Sequence, residues 1–72
     1  MTRAFVFKTK RWEHGLEIYI YEGGDEIGVT NTYNEYTILD AYRMAEDWIE
    51  ASFGLTDDEY SIVYETGGPE AQ

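Results

Sequence analysis

LEIYIYEGGDEIGV, residues 16–29, is the stretch from which the fold follows. Leu16, Ile18 and Ile20 alternate with Glu17, Tyr19 and Tyr21, the period of a strand with one buried and one wetter face. Gly23-Gly24 then offers two residues that tolerate positive φ, as a tight hairpin turn demands. Counting outward from that turn pairs Ile20 with Ile27 and Ile18 with Val29. In this register Ile27 and Val29 face inward, and Tyr19 lies opposite Gly28, where an aromatic can cover bare backbone. A slip of one residue would turn one strand's apolar set outward.

Upstream, residues 5–11 read as a first strand with Phe5, Phe7 and Thr9 on one face. Trp12-Glu13-His14-Gly15 reads as the turn into the second strand. Pairing Phe7 with Ile20 and Thr9 with Ile18 keeps the apolar side consistent. It also sets Lys10 against Glu17 as an ion pair and Lys8 against Tyr19 as a cation–π pair. Downstream, the third strand runs over 26–33.

A helix is expected over 38–53, with Thr37 as N-cap, Asp40 in the first turn and Gly54 as its stop. Ile38, Ala41, Tyr42, Ala45, Trp48, Ile49 and Ser52 recur at helical spacing and face the sheet; Asp40, Arg43, Asp47 and Glu50 face away. Tyr60, Ile62 and Tyr64 mark a fourth strand over 60–65. The order β-β-β-α-β then gives an α+β domain. A right-handed crossover through the helix lays the last strand parallel to the first, so the sheet order is 3-2-1-4 with the helix on one face. Residues 1–66 form a single domain, and 67–72, with Gly67-Gly68-Pro69, read as a flexible tail.

At 72 residues the chain has room for a small core. Aromatic residues make up 17%, enough large apolar groups to order a chain of net charge −10. There is no cysteine, which fits a reducing cytoplasm, and the apolar run 4–7 is too short for a signal peptide or a membrane span. The charge is segregated. Arg3, Lys8, Lys10 and Arg11 precede every acid, and the 15 acids from Glu13 onward are opposed only by Arg43. Such a surface repels phosphate backbones and anionic lipid and attracts basic protein surfaces. The fold supplies a structural role for two of the cations: Lys8 and Lys10 on an inner strand relieve repulsion between Glu17 and Glu65.

The residue inventory points away from catalysis, a cofactor or a metal. His14 is the only histidine and sits in a turn; Ser52 and Ser61 lack a nucleophile's context; no glycine-rich phosphate loop precedes the helix. Asp57-Asp58-Glu59 lacks the spaced ligands and central glycine of a calcium loop.

Two binding surfaces are expected instead. One helix covers one sheet face, leaving Val6, Lys8, Lys10, Glu17, Tyr19, Tyr21, Thr30 and Val63 on the other. Tyrosine suits interfaces because it buries large area at low rotamer cost. The partner-binding set on this face is Lys8, Glu17, Tyr19 and Tyr21, and the face could also pair two copies of the chain. The second surface collects Glu35, Asp40, Glu46, Asp47, Glu50, Asp57, Asp58 and Glu59 along the helix and its flanking loops. Carboxylates spaced on a rigid helix can imitate nucleic-acid phosphates in a basic cleft. The alternative role for them is a solvated face with Arg43 bridging Asp40 and Asp47. Direct nucleic-acid binding through Lys8, Lys10, Tyr19 and Tyr21 runs against the net charge.

In size, acidity and lack of catalytic residues the chain resembles phage-encoded inhibitors of the anti-CRISPR and anti-restriction type. That resemblance implies an inhibitor in the host cytoplasm occupying the basic nucleic-acid-binding surface of a protein partner. The β-β-β-α-β layout, with NEYTILDAYRMAEDWIEASFG as its helix, is similar to HicB-family antitoxins, which implies an antitoxin-like or adaptor role through the open sheet. The chain departs from that family in lacking its Pro- and Gly-containing turn before the helix and an appended DNA-binding segment.

Overall fold

The computed structural model of the protein describes residues 2–13, 15–33 and 37–65; His14, Glu35 and the expected tail at 67–72 lie outside them. The elements are β1 (Arg3–Trp12), β2 (Gly15–Glu22), β3 (Asp25–Tyr33), α1 (Ile38–Phe53) and β4 (Tyr60–Glu65). They form an α+β fold whose single sheet has the order β3-β2-β1-β4, antiparallel except for the parallel β1–β4 pair.

The helix has the ends its sequence encodes. Asp40 N–H donates to the Thr37 hydroxyl oxygen at 3.2 Å, and Thr37 N–H donates back to the Asp40 carboxylate at 3.2 Å. This reciprocal pair satisfies donors that a helix start otherwise leaves open. At the far end Gly54 adopts the left-handed conformation and donates to Glu50 O at 2.9 Å. Ala41, Ala45 and Ile49 are buried against the sheet, with Ile38, Tyr42 and Trp48 packed at their sides. Ser52, expected on that stripe, is exposed. It lies near the end of the helix, beyond the buried Ile49.

Below the helix, Phe5, Phe7, Ile18 and Ile20 are fully buried. Each buried side chain of this size stabilises the fold by roughly 1.5–3 kcal/mol. At one end of the core, the Arg3 guanidinium lies 4.2 Å from the Phe53 ring centroid and donates twice to Glu22, at 2.9 and 2.7 Å. A planar fork stacked on a ring and paired to one carboxylate joins β1, β2 and the helix end.

The first hairpin has the expected register, with Phe7 opposite Ile20, Thr9 opposite Ile18 and Lys10 opposite Glu17. Its strands extend further than the sequence predicts. Trp12 and Gly15, read as turn residues, are themselves a paired position.

The second hairpin departs from its expected register. Glu22–Asp25 and Tyr21–Glu26 pair across the Gly23-Gly24 turn, but Ile20 then pairs with Gly28, Tyr19 with Val29 and Ile18 with Thr30. Ile27 is the extra residue of a β-bulge, and from Gly28 to Thr32 the side chains of β3 are turned over relative to the simple count. Val29 therefore faces outward and is exposed, not inward. Thr30 moves from the open face to the helix side, where its hydroxyl is buried. The cause is Trp48: a methyl group at Gly28 would lie 2.5 Å from the indole Cη2. The aromatic that covers bare backbone is thus Trp48 on the helix side, in place of Tyr19 on the other.

Candidate functional site

The uncovered face of the sheet is built from alternate residues of all four strands. β1 contributes Val6, Lys8, Lys10 and Trp12; β2 contributes Glu17, Tyr19 and Tyr21; β3 contributes Val29 and Asn31; β4 contributes Val63. Trp12, Val29 and Val63 are 47%, 42% and 58% exposed, so β1, β3 and β4 each present a large apolar side chain to water on this face. The bulge makes the face more apolar than the simple register would, because it exchanges Gly28 and Thr30 for Val29 and Asn31.

The polar groups on this face bind one another. The Glu17 carboxylate accepts from the Trp12 indole N–H and from the Tyr19 hydroxyl, the latter at 2.6 Å. These bonds hold its carboxyl below the usual carboxylate range, the Tyr19 bond first and the Trp12 bond second. The same Glu17 bond raises the Tyr19 phenol. Lys10 Nζ sits 4.1 Å from the Trp12 ring centroid, and Lys8 Nζ sits 4.6 Å from that of Tyr21. Lys8 also reaches Glu65 at 3.8 Å, the expected relief of acidic repulsion.

Two expected contacts are replaced. Lys10 stacks on Trp12 and makes no ion-pair contact with Glu17 opposite it, whose carboxylate is taken by Trp12 and Tyr19. The Lys10 charge still helps to hold that carboxyl low. Lys8 lies over Tyr21, its diagonal neighbour, and not over Tyr19 directly opposite. Cross-strand diagonals are within reach of a lysine and a tyrosine. The outcome is a row of aromatic rings fixed by hydrogen bonds and cations. Rings already ordered lose little further freedom on contact with a partner. Beside Trp12, a hollow of about 360 Å³ is bordered by Leu16, Glu17, Asn31 and Thr32.

Thus Lys8, Glu17, Tyr19 and Tyr21 lie together as anticipated, and Trp12 and Val29 join them. Trp12 could have been found, since it continues the Lys8, Lys10 alternation of its strand. Val29 could not, because its direction depends on the bulge.

The acidic residues divide. Asp40 is committed to the helix cap. Glu46 accepts from the Tyr64 hydroxyl and Glu50 from the Tyr60 hydroxyl, both at 2.8 Å, so these two acids tie the helix to β4. Asp58 accepts from the Thr56 hydroxyl, and Glu59 from Thr56 N–H at 2.8 Å. Asp47 and Asp57 are exposed and make no hydrogen bond or ion pair among the described residues; Glu35 lies outside them. Arg43 does not bridge Asp40 and Asp47. Among the described residues no group of three or more His, Cys, Asp or Glu side chains is arranged to hold a metal ion. None of their helices is long and apolar enough to cross a membrane.

No protein-family model, curated protein or solved structure matches the chain.

Proposed function

We propose that this protein is a non-catalytic, acidic binding module that holds a protein partner through its open sheet face. The observation that carries the reading is the Trp12–Glu17–Tyr19 cluster, with exposed Val29 opposite Tyr19 and exposed Val63 at the β4 end of the same face. Ordered aromatics beside a hollow, with apolar area around them, have the composition of an interface centre. The net charge of −10 steers basic partners toward the molecule and disfavours nucleic acid and anionic membranes. The cysteine-free composition fits a cytoplasmic setting.

The test is capture of partners on immobilised protein, wild type against variants. Trp12→Ala, Tyr19→Ala and Val63→Lys should each abolish capture, while Asp47→Asn and Asp47→Lys should leave the bound species the same. Retention by the first group and loss by the second would overturn the reading. Sedimentation over a range of concentrations separates a second copy of the chain from a foreign partner.

A second reading is inhibition, in which the acidic side occupies a basic nucleic-acid-binding surface. Its support is that Asp47 and Asp57 stand exposed and uncommitted on the helix and its following loop. Binding of this kind would weaken steeply with salt, because it replaces phosphate contacts. The commitments of Glu46 and Glu50 to tyrosines of β4 reduce the free carboxylates on that side, which places this reading second.

A further inference from the structure

The sheet has two outer edges, and they are built differently. The β3 edge is interrupted by the bulge at Ile27 and begins with exposed Asp25 and Glu26. Bulges and charges are the usual guards against another strand pairing there. The β4 edge, Tyr-Ser-Ile-Val-Tyr-Glu from residue 60, has no bulge, lysine or proline, and a single charge at its last position.

The backbone of β4 is oriented by its first contact. Arg3 N–H donates to Glu59 O at 3.2 Å, and Arg3 is the Cα partner of Tyr60. In a parallel ladder, alternate residues bond the neighbour and the ones between point away. Glu59, Ser61 and Val63 therefore face β1, and the N–H and C=O groups of Tyr60, Ile62 and Tyr64 face outward. No other backbone group of the described residues bonds them.

A groove runs along the helix side of this edge. One part, about 200 Å³, is lined by Glu46, Asp57, Tyr60, Ile62 and Tyr64. The adjoining part, about 610 Å³, shares Glu46 and Tyr64 and adds Asp40 and Arg43. Three carboxylates against one guanidinium make the groove acidic. On the opposite side of the strand, Ser61 and Val63 are exposed and carry no charge.

We propose that the β4 edge accepts an extended segment of a partner protein as a fifth strand, and that this segment alternates basic and apolar residues. The unpaired backbone supplies the ladder, and the alternation of a strand sends every second side chain to each face. Basic residues then meet Asp40, Glu46 and Asp57 on the helix side, and apolar ones lie over Val63. The inference goes beyond the open-face reading: it uses the edge, and either can fail alone.

The test uses a synthetic peptide, acetyl-Lys-Val-Lys-Val-Lys-Val-Lys-amide, and amide hydrogen exchange on the full chain. At saturating peptide the Tyr60, Ile62 and Tyr64 amides should exchange about tenfold more slowly, as expected for newly bonded donors. Glutamate in place of the peptide's lysines, or N-methylation of all its residues, which removes the ladder donors in either strand orientation, should remove the protection. Asp57→Lys, a substitution on an exposed loop, should weaken binding about tenfold, in keeping with the loss of a close charge pair. Unchanged exchange at the three amides overturns the proposal, as does equal protection by the N-methylated or acidic peptide. Perturbation confined to Trp12, Tyr19 and Tyr21 also overturns it, since the peptide would then lie on the open face. So does protection that grows with protein concentration without peptide, which would assign the edge to a second copy.

Discussion

The six-membered ring of Trp48 rests on the backbone of Gly28, where a methyl group would lie 2.5 Å from Cη2 and 2.7 Å from Cζ2. A bulky rigid ring packed between helix and sheet cannot retreat without moving α1. Gly28→Ala should therefore destabilise the protein by about 1–3 kcal/mol, the usual range for overpacking. Urea unfolding measures the loss. Trp48→Leu should relieve the clash, so the double variant should be less damaged than the sum of the singles. Strict additivity would show that the contact does not restrict the site.

Thr9 tests the opposite defect. It is 3% exposed, and its hydroxyl is buried without a hydrogen-bond partner among the described residues. An unpaired buried hydroxyl carries a desolvation penalty that a methyl group of the same shape does not. Thr9→Val should stabilise the fold by about 1 kcal/mol, read as a rise in the urea midpoint. A fall in the midpoint would mean that the hydroxyl is satisfied in solution.

Stability should fall at both ends of the pH range, for different residues. The Glu17 carboxyl is held low by Tyr19 and Trp12, and the Glu22 carboxyl is held low by its bonds from Arg3. Such groups contribute above the unfolded carboxyl value of about 4.3 and lose that contribution as pH falls through their depressed values. The phenols act in the other sense. Burial, followed by the bond to Glu46, pushes the Tyr64 phenol up to about 12, and burial with the bond to Glu50 raises Tyr60 as well. Their contribution is complete below the unfolded phenol value of about 10 and is lost as pH rises through the raised ones. Thermal unfolding against pH should show both limbs. Tyr60→Phe with Tyr64→Phe should flatten the alkaline limb, and Glu17→Gln with Glu22→Gln the acid one.

The open face predicts a local effect with little change in stability. Glu17→Gln removes the charge on the acceptor shared by Trp12 and Tyr19. The indole N–H resonance of Trp12 should shift upfield and exchange faster, with a midpoint change within about 0.5 kcal/mol, as at other exposed positions. An unmoved indole resonance would show that the bond does not persist in solution.

The N-cap gives a calibration of helix stability. Thr37→Ala removes the hydroxyl that accepts from Asp40 N–H and should cost about 1 kcal/mol. Thr37→Ser should recover most of it, because the accepting oxygen is retained.

Local chemistry was enough to specify the elements of this fold. Thr37, Asp40 and Gly54 mark the helix from both ends, and the 38–53 range read from them is the one observed. The strand order and the parallel β1–β4 pair followed from short connections and one helical return. The open face was partly legible for the same reason: parity along β1 and β2 assigns Lys8, Glu17, Tyr19 and Tyr21 to one side.

Register beyond the second turn was a matter of long-range packing. Gly23-Gly24 dictates the pairs next to the turn, Glu22–Asp25 and Tyr21–Glu26, and nothing local forbids or requires an extra residue after them. The choice lies with Trp48, which needs a residue without a side chain beneath it and finds it only when Ile27 is bulged and Gly28 turns toward the helix. That choice sends Val29 to the open face and Thr30 under the helix. Likewise, an acidic residue's identity does not say whether it meets water or a tyrosine. The helix lies over β2 and β3, and the long tyrosine side chains of β4 reach across to it, so that Glu46 and Glu50 hold Tyr64 and Tyr60 while Asp47 and Asp57 remain exposed. Periodicity and caps depend on neighbours in the chain, whereas these contacts depend on how one helix lies over one sheet.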